Sequence, residues 1–276
     1  MEKTIVLITG ANTGVGFEAV KQFYAAETPS PTPKPYHILL GGRSRDKVDE
    51  AVQRVKEELG SGPARGEVEG VVIDITSDES IQALAGLVES KFGRLDVLIN
   101  NAGVELDIQY PKLGLSPREM FRLTYDTNVT GPHLLTTALA PLLLKSASPR
   151  LIFLASGTAS FKLSEDDTFI LNHAPEPGWP KQTFRELPAY KSSKIALNMI
   201  MRDWERLLRK DGVKVWAVNP GFLATGLGGD VEVLKKIGAQ EPRLGGEILR
   251  EVVEGKYDAM QGKVISRHGK DGVQAW

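Results

Sequence analysis

Seven short apolar runs separated by helical patterns leave this chain few ways to fold. The runs are Ile5–Ile8, His37–Leu40, Val68–Ile73, Leu95–Ile99, Leu151–Leu154, Val213–Val218 and Lys263–Ile265. Between them the period changes to that of a helix, as at 77–92, where Ile81, Leu84, Leu87 and Val88 fall on one face. Continuous apolar strands alternating with helices require a parallel sheet covered on both faces. With no internal repeat and no dividing linker, the expectation is one doubly wound α/β domain spanning 1–276.

Composition removes several function classes. Thirty-four basic residues stand against 35 acidic ones, a formal net charge of −1, so nothing points to nucleic acid or an anionic membrane surface. The absence of cysteine excludes disulfides, thiol catalysis and cysteine-ligated metals, and suits a reducing compartment. The longest apolar stretch, 134–144, is interrupted by threonines and Pro141 and is too short for a membrane span. The chain enters its first strand directly after Met1-Glu2-Lys3, which leaves no room for a signal peptide. The expectation is a soluble cytoplasmic protein.

The first strand runs into Thr9-Gly10-Ala11-Asn12-Thr13-Gly14-Val15-Gly16, followed by a helix over 14–25. Glycines at 10, 14 and 16 permit a tight turn and close approach to a pyrophosphate, which free N–H groups and the dipole of the helix N-terminus would hold. The other reading is a tight turn without a ligand. No Gly-x-x-x-x-Gly-Lys-Ser/Thr occurs, so a P-loop is unsupported. Residues 27–35 carry prolines at alternate positions and read as an extended loop at the opposite end of the sheet. The second strand ends Gly41-Gly42-Arg43-Ser44. No carboxylate is present there to receive a ribose 2′-hydroxyl, whereas a guanidinium and a hydroxyl, with space left by Gly42, suit a phosphate. This favours NADP over NAD. Asp74, just past the third strand beside Ile75, would either accept from an adenine amino group or cap the helix beginning near Ser77.

The remaining strand ends carry chemistry too. The fourth ends Asn100-Asn101-Ala102-Gly103, small residues and amides where backbone passes a flat ligand. Asn128, just before Thr130-Gly131, stands in a helical stretch where asparagine and glycine are poor choices, which suggests a local break with a purpose. The fifth ends Ala155-Ser156-Gly157, a hydroxyl at the ligand-binding edge without the Gly-x-Ser-x-Gly elbow of a hydrolase. Tyr190 and Lys194, four residues apart, share a helix face. A free tyrosine titrates near pH ~10. A fixed ammonium beside it favours the phenolate and is expected to lower that value, so that Tyr190 exchanges protons near neutrality.

Taken together, Thr9-Gly-x-x-x-Gly-x-Gly16, Asn100-Asn-Ala-Gly103, Asn128, Ser156, Tyr190-x-x-x-Lys194 and Asn219-Pro-Gly221 with Thr225 resemble the short-chain dehydrogenase/reductase family over most of the chain. The resemblance implies a Rossmann fold with a seven-stranded sheet, and hydride transfer between a nicotinamide and a carbonyl or alcohol carbon. It implies Tyr190 as proton donor or acceptor, Lys194 on the nicotinamide ribose, Ser156 on the substrate oxygen and Asn128 supporting a water relay. For the nucleotide it implies Gly10, Asn12, Thr13, Gly14, Val15 and Gly16 at the first turn. Arg43 and Ser44 would meet the ribose phosphate, Asp74 and Ile75 the adenine, and Asn101, Ala102 and Gly103 the ligand's flank. Pro220, Gly221 and Leu223 would lie along the nicotinamide, with Thr225 near the pyrophosphate.

The main departure from the family is the insertion-bearing stretch 157–189 between Ser156 and Tyr190, 33 residues long and longer than is usual in the family, on the expected active-site side. Its Phe161, Phe169, Leu171, Trp179 and Phe184 form either a wall for a bulky apolar or aromatic carbonyl compound or a flap closing on its own small core. Monomeric carbonyl reductases of the family carry an insertion here that masks a dimerisation face, so monomer and homodimer both remain open. His173 beside Glu165, Asp166 and Asp167 matches no helical metal-ligand spacing, and no metal is expected. His133 reads as packed rather than catalytic. Glycines 226, 228 and 229 lead into amphipathic segments, and 222–241 reads as a lid. Two functions follow: an NADP(H)-dependent oxidoreductase reducing a ketone or aldehyde, or a nucleotide-binding regulator without turnover.

Overall fold

All seven expected strands form, and they join one sheet. The computed structural model describes residues 3–26, 35–60, 66–169, 172–181 and 187–276. The strands are β1 (Thr4–Ile8), β2 (Tyr36–Gly42), β3 (Glu67–Val72), β4 (Val97–Asn100), β5 (Arg150–Leu154), β6 (Lys214–Asn219) and β7 (Val264–Lys270). Their spatial order is β3-β2-β1-β4-β5-β6-β7, every pairing parallel. The order reverses between β1 and β4, the switch point at whose carboxyl ends such sheets bind ligands.

Alternation along each strand divides the core in two. In β1, Val6 and Ile8 face one layer, and Ile5 and Leu7 the other. The first layer is built on α1 (Gly14–Tyr24), α2 (Arg45–Leu59) and α9 (Arg243–Val253), the second on α3 (Asp78–Phe92), α5 (Gly131–Leu143) and α7 (Pro188–Leu208). The apolar face expected for α3 is narrower than its sequence suggests: Ile81, Leu84 and Val88 are buried, but Leu87 is 41% exposed. At 100° per residue, Leu87 lies beyond the stripe that meets the sheet. His133 packs at 5.7 Å between ring centroids against Trp204.

α1 and α9 press together backbone to backbone. A Cβ at Gly246 would lie 2.6 Å from the Glu18 carbonyl carbon and 2.8 Å from Ala19 N. That approach fixes the helix following the glycine turn against the C-terminal part of the chain.

Within the insertion, a one-turn helix α6 (Phe161–Ser164) follows β5, and Phe161 and Trp179 are exposed, Trp179 to 84%. These two rings therefore close on no core of their own. Leu171 and Phe184, and the proline-rich loop from 27 to 34, lie outside the described residues. Among the described residues, no helix is long and apolar enough to cross a membrane.

Two glycine substitutions should separate packing from propensity. Gly246→Ala should destabilise by about 1–3 kcal/mol because the added methyl meets rigid backbone. Gly86→Ala, exposed on α3 with open space around the new Cβ, should stabilise by about 0.5–1 kcal/mol. Urea unfolding midpoints at constant m-value check both signs.

Candidate active site

The turn after β1 is locked to the end of β4 by side-chain hydrogen bonds. Thr9 Oγ1 accepts from Asn101 N at 3.1 Å and Ala102 N at 3.0 Å. Asn101 Nδ2 donates to the Thr9 carbonyl at 2.7 Å and the Gly10 carbonyl at 3.0 Å. Gly10 takes φ +60° and Gly14 φ +59°, which disfavours side chains there. A Cβ at Gly16 would collide with Asn101 Nδ2 and stand 2.8 Å from the Gly10 carbonyl oxygen. Gly16 and Asn101 thus build the turn itself. Asn101 was expected to face the ligand, yet its amide N–H groups are spent on the turn.

α2, α3 and α8 (Val231–Lys236) begin on side chains that accept from their first turns, namely Ser44, Ser77 and Asp230. α1 begins on Thr13 with no side-chain cap and no acidic residue in its first turn. The leading N–H groups around Gly14, Val15 and Gly16 are therefore left to an outside acceptor. Thr225 lies against this turn, its Cβ 3.7 Å from where a Gly14 Cβ would be.

Three expectations for the adenosine end change in detail. The space at Gly42 is filled, since a Cβ there would be 2.8 Å from Val48 Cγ2 and 3.0 Å from Asn12 Oδ1. Gly42 admits neighbouring side chains rather than a ligand. Ser44 caps α2, with Arg43 exposed just before it. Asp74 does not cap α3, which Ser77 caps; its Oδ1 accepts from Thr76 N at 2.9 Å and Thr76 Oγ1 at 2.7 Å in a local turn. Ile75 is buried and packs against Gly131.

The break expected near Asn128 is a π-helical turn, Asp126–Thr130, between α4 (Pro117–Tyr125) and α5. Such bulges rotate one residue out of helical register. Asn128 is buried, and its Oδ1 accepts from Val104 N at 2.8 Å. Its Nδ2 donates to the Val104 carbonyl at 2.9 Å and to Ser193 Oγ at 3.0 Å. Ser193 Oγ in turn donates to the Tyr190 carbonyl at 2.8 Å. The side chain joins the β4 edge to α7.

α7 opens at Leu187-Pro188 with no local cap, and Asp107 supplies one from the β4–α4 connection. Its carboxylate accepts from Ala189 N at 2.8 Å and Tyr190 N at 3.0 Å. No local sequence pattern marks Asp107, Ser193 or Gln274, whose Oε1 accepts from Asn219 Nδ2, as parts of the site. The one available signal was a helix start lacking Ser, Thr, Asp or Asn.

Tyr190, Ser156 and Lys194 converge. The Ser156 side chain is near enough to the phenol to pull its pKa down. It also lies 3.0 Å from Thr158 Oγ1 and accepts from Thr158 N at 3.2 Å. Lys194 Nζ stands 5.8 Å from the Tyr190 ring centroid and donates to the Leu154 carbonyl at 2.8 Å. A Cβ at Gly103 would be 3.2 Å from Asn128 Oδ1 and 3.3 Å from Lys194 Nζ. Across the crevice, Asn219 Oδ1 accepts from Gly221 N at 3.0 Å, shaping the turn through Pro220. Leu223 is buried, and segment 222–241 closes on itself where Ala224 N donates to the Gln240 carbonyl at 2.9 Å and Gln240 N to that of Phe222 at 2.8 Å.

The electrostatics differ from expectation. Burial holds the Tyr190 phenol above its ordinary pKa, opposed by the Ser156 hydrogen bond and reinforced by the buried Glu105 carboxylate. Burial also lowers Lys194 to about 8. Desolvation is the largest influence on the phenol, which is therefore protonated at neutral pH.

The short chain dehydrogenase family model matches residues 4–165 and 178–233. The chain is 38% identical over 270 residues to the short-chain dehydrogenase/reductase tropE of Talaromyces stipitatus, covering 98% of this chain and 97% of that one. It is 42% identical over 282 residues to the short-chain dehydrogenase/reductase eupG of a Phoma species, covering 99% and 98%. Among solved structures, the NADPH-bound carbonyl reductase from chicken fatty liver has a TM-score of 0.77 at 24% identity, with both chains covered completely. Salutaridine reductase from Papaver somniferum has 0.70 at 23%, covering 95% of this chain and 99% of that one. The chain belongs to the short-chain dehydrogenase/reductase family, a family of oxidoreductases.

Lys194, 3% exposed, carries a testable linkage. Its pKa falls from 10.5 to about 8 on folding, a shift corresponding to roughly 3 kcal/mol. Below about pH 8 both folded and unfolded chains hold the proton, and the folded state bears the whole desolvation cost. Between that value and 10.5 the folded chain alone is neutral, and stability rises with pH. Lys194→Met should therefore raise the melting temperature at neutral pH, by about 1–3 kcal/mol of stability. That gain should shrink as pH approaches 10.5. Thermal melts across pH measure it, and a gain independent of pH would contradict the assignment.

Proposed function

We propose that the chain is an NADP(H)-dependent reductase of a bulky apolar or aromatic ketone or aldehyde, working in the cytoplasm. One observation carries the reading: a phenol kept protonated by desolvation, with Ser156 at its side, stands beside Lys194 on the same sheet edge as the uncapped N-terminus of α1. A protonated phenol is poised to donate, which suits carbonyl reduction. The chicken carbonyl reductase with NADPH bound supports the nucleotide, as does a β2 end bearing exposed Arg43 and half-buried Ser44 with no carboxylate.

The residues fit a dinucleotide. The glycine turn and the free N–H groups of α1 would hold the pyrophosphate with Thr225 beside them, and Arg43 and Ser44 the 2′-phosphate. The Asn219–Gly221 turn would flank the nicotinamide, and Lys194 the adjoining ribose. A bound reduced nicotinamide supplies the hydride for the carbonyl carbon. Tyr190 Oη then delivers its proton to the carbonyl oxygen, which Ser156 orients. The Lys194 ammonium steadies the phenolate left behind. Asn128 holds α7 and the β4 edge at fixed separation; with its amide committed, a water relay would use its backbone carbonyl.

A regulator that binds nucleotide without turnover needs only the glycine turn. The convergence of Ser156, Tyr190 and Lys194 favours the enzyme.

Tyr190→Phe should leave NADPH affinity unchanged and lower turnover of aromatic ketones and quinones by roughly 10²–10⁴-fold. Absorbance at the NADPH band and fluorescence titration measure the two, and undiminished turnover would refute Tyr190 as the acid. Arg43→Ala should weaken NADPH binding by about 10- to 100-fold, as for lost hydrogen bonds to a charged group, while NADH binding stays put. Equal loss for both nucleotides would refute the phosphate assignment.

A further inference from the structure

After β7 the chain turns back to the carboxyl edge of the sheet, where Gln274 N donates to the Val264 carbonyl at 2.9 Å. The Gln274 side chain lies between two loops of the site. Its Oε1 accepts from Asn219 Nδ2 at 2.7 Å. Its Nε2 donates to the carbonyls of Ser156 at 3.2 Å and Ala159 at 3.3 Å. Asn219 in turn shapes the turn to Gly221, its Oδ1 accepting from Gly221 N. The next residues extend the connection to the root of the insertion: Ser160 Oγ donates to the Ala275 carbonyl at 2.7 Å, and Lys162 N to that of Trp276 at 2.8 Å.

The pattern demands an amide. Asn219 presents a donor and the Ser156 loop presents carbonyls, so the bridging side chain must accept on one arm and donate on the other. Neither a carboxylate nor an apolar side chain does both. The two loops come from different strands, β5 and β6, and share this one side chain at the edge beyond the ladder.

We propose that Gln274 is a positioning residue that keeps the Ser156 hydroxyl in register with the Asn219–Gly221 turn, coupling the carbonyl site to the nicotinamide site. The inference rests on the nucleotide and carbonyl reading given above. Its two arms act on different sites: the acceptor arm steadies the turn along the nicotinamide, and the donor arm steadies the loop that orients the carbonyl.

Two variants of the full chain separate the arms. Gln274→Glu keeps the acceptor facing Asn219 and loses the donors; Gln274→Ala loses both. With NADPH fluorescence and 9,10-phenanthrenequinone as the carbonyl probe, Gln274→Glu should hold the NADPH Kd within about twofold and lower kcat/KM by about fivefold, the loss expected for a neutral hydrogen bond. Gln274→Ala should shift both quantities and speed amide exchange in segments 156–162 and 219–222. Parent-like Kd, kcat/KM and exchange in both variants would overturn the proposal. So would a parallel loss of affinity and turnover in Gln274→Glu that follows its melting temperature, the mark of general loosening. If the parent binds NADPH but leaves the quinone unreduced, exchange at 156–162 in Gln274→Glu decides: faster supports the proposal, unchanged overturns it. A parent that binds neither nicotinamide nucleotide would sink the reading of function instead, and the exchange comparison would still judge Gln274.

Discussion

One carboxamide fixes where α7 meets the sheet. Asn128 grips Val104 through both its amide and its carbonyl and reaches Ser193 with the remaining N–H. The contact with Ser193 is buried and the two with Val104 are partly so, and away from water an unmade hydrogen bond costs more than a made one contributes. The π-helical turn around it is the geometric condition for that grip, because a regular helix would direct residue 128 elsewhere. α7 is then fixed at a second point by Asp107, which receives the N–H groups of Ala189 and Tyr190. Both anchors reach α7 from the chain between β4 and α5, so the phenol's position relative to the crevice is decided before any ligand arrives.

The electrostatic character of the site follows from that enclosure. Packing the phenol and the ammonium away from water raises the first and lowers the second, each toward its neutral form. The pair therefore does not behave as a preformed phenolate and ammonium. In the proposed reaction it would act as an acid with a partner that gains importance when negative charge develops on the oxygen. The Ser156 side chain moderates the upward shift of the phenol.

Features written in local periodicity were legible in the sequence: the strands, the burial of Ile81, Leu84 and Val88, the glycine turn and the anomaly at Asn128. Side chains joined across long separations were not. Asp107 serves a helix more than eighty residues away, and Gln274 serves a loop over a hundred residues away. No spacing rule encodes either partner. Gly42 was misread for a related reason, since a glycine shows that space is needed without showing whether a ligand or Val48 takes it. The phenol's pKa was misjudged because adjacency at i and i+4 reveals the neighbouring charge and conceals the burial that outweighs it.

The contact of Gly246 with Glu18 bears on how the segment 222–241 is able to move. The two ends of that segment are stapled to each other by the Phe222–Gln240 and Ala224–Gln240 hydrogen bonds. Beyond it, α9 is seated on the backbone of α1, with no side chain between them to yield. Both feet of the segment are thus planted on the scaffold that carries the glycine turn. Any excursion of the segment would be that of a tethered loop on a rigid frame.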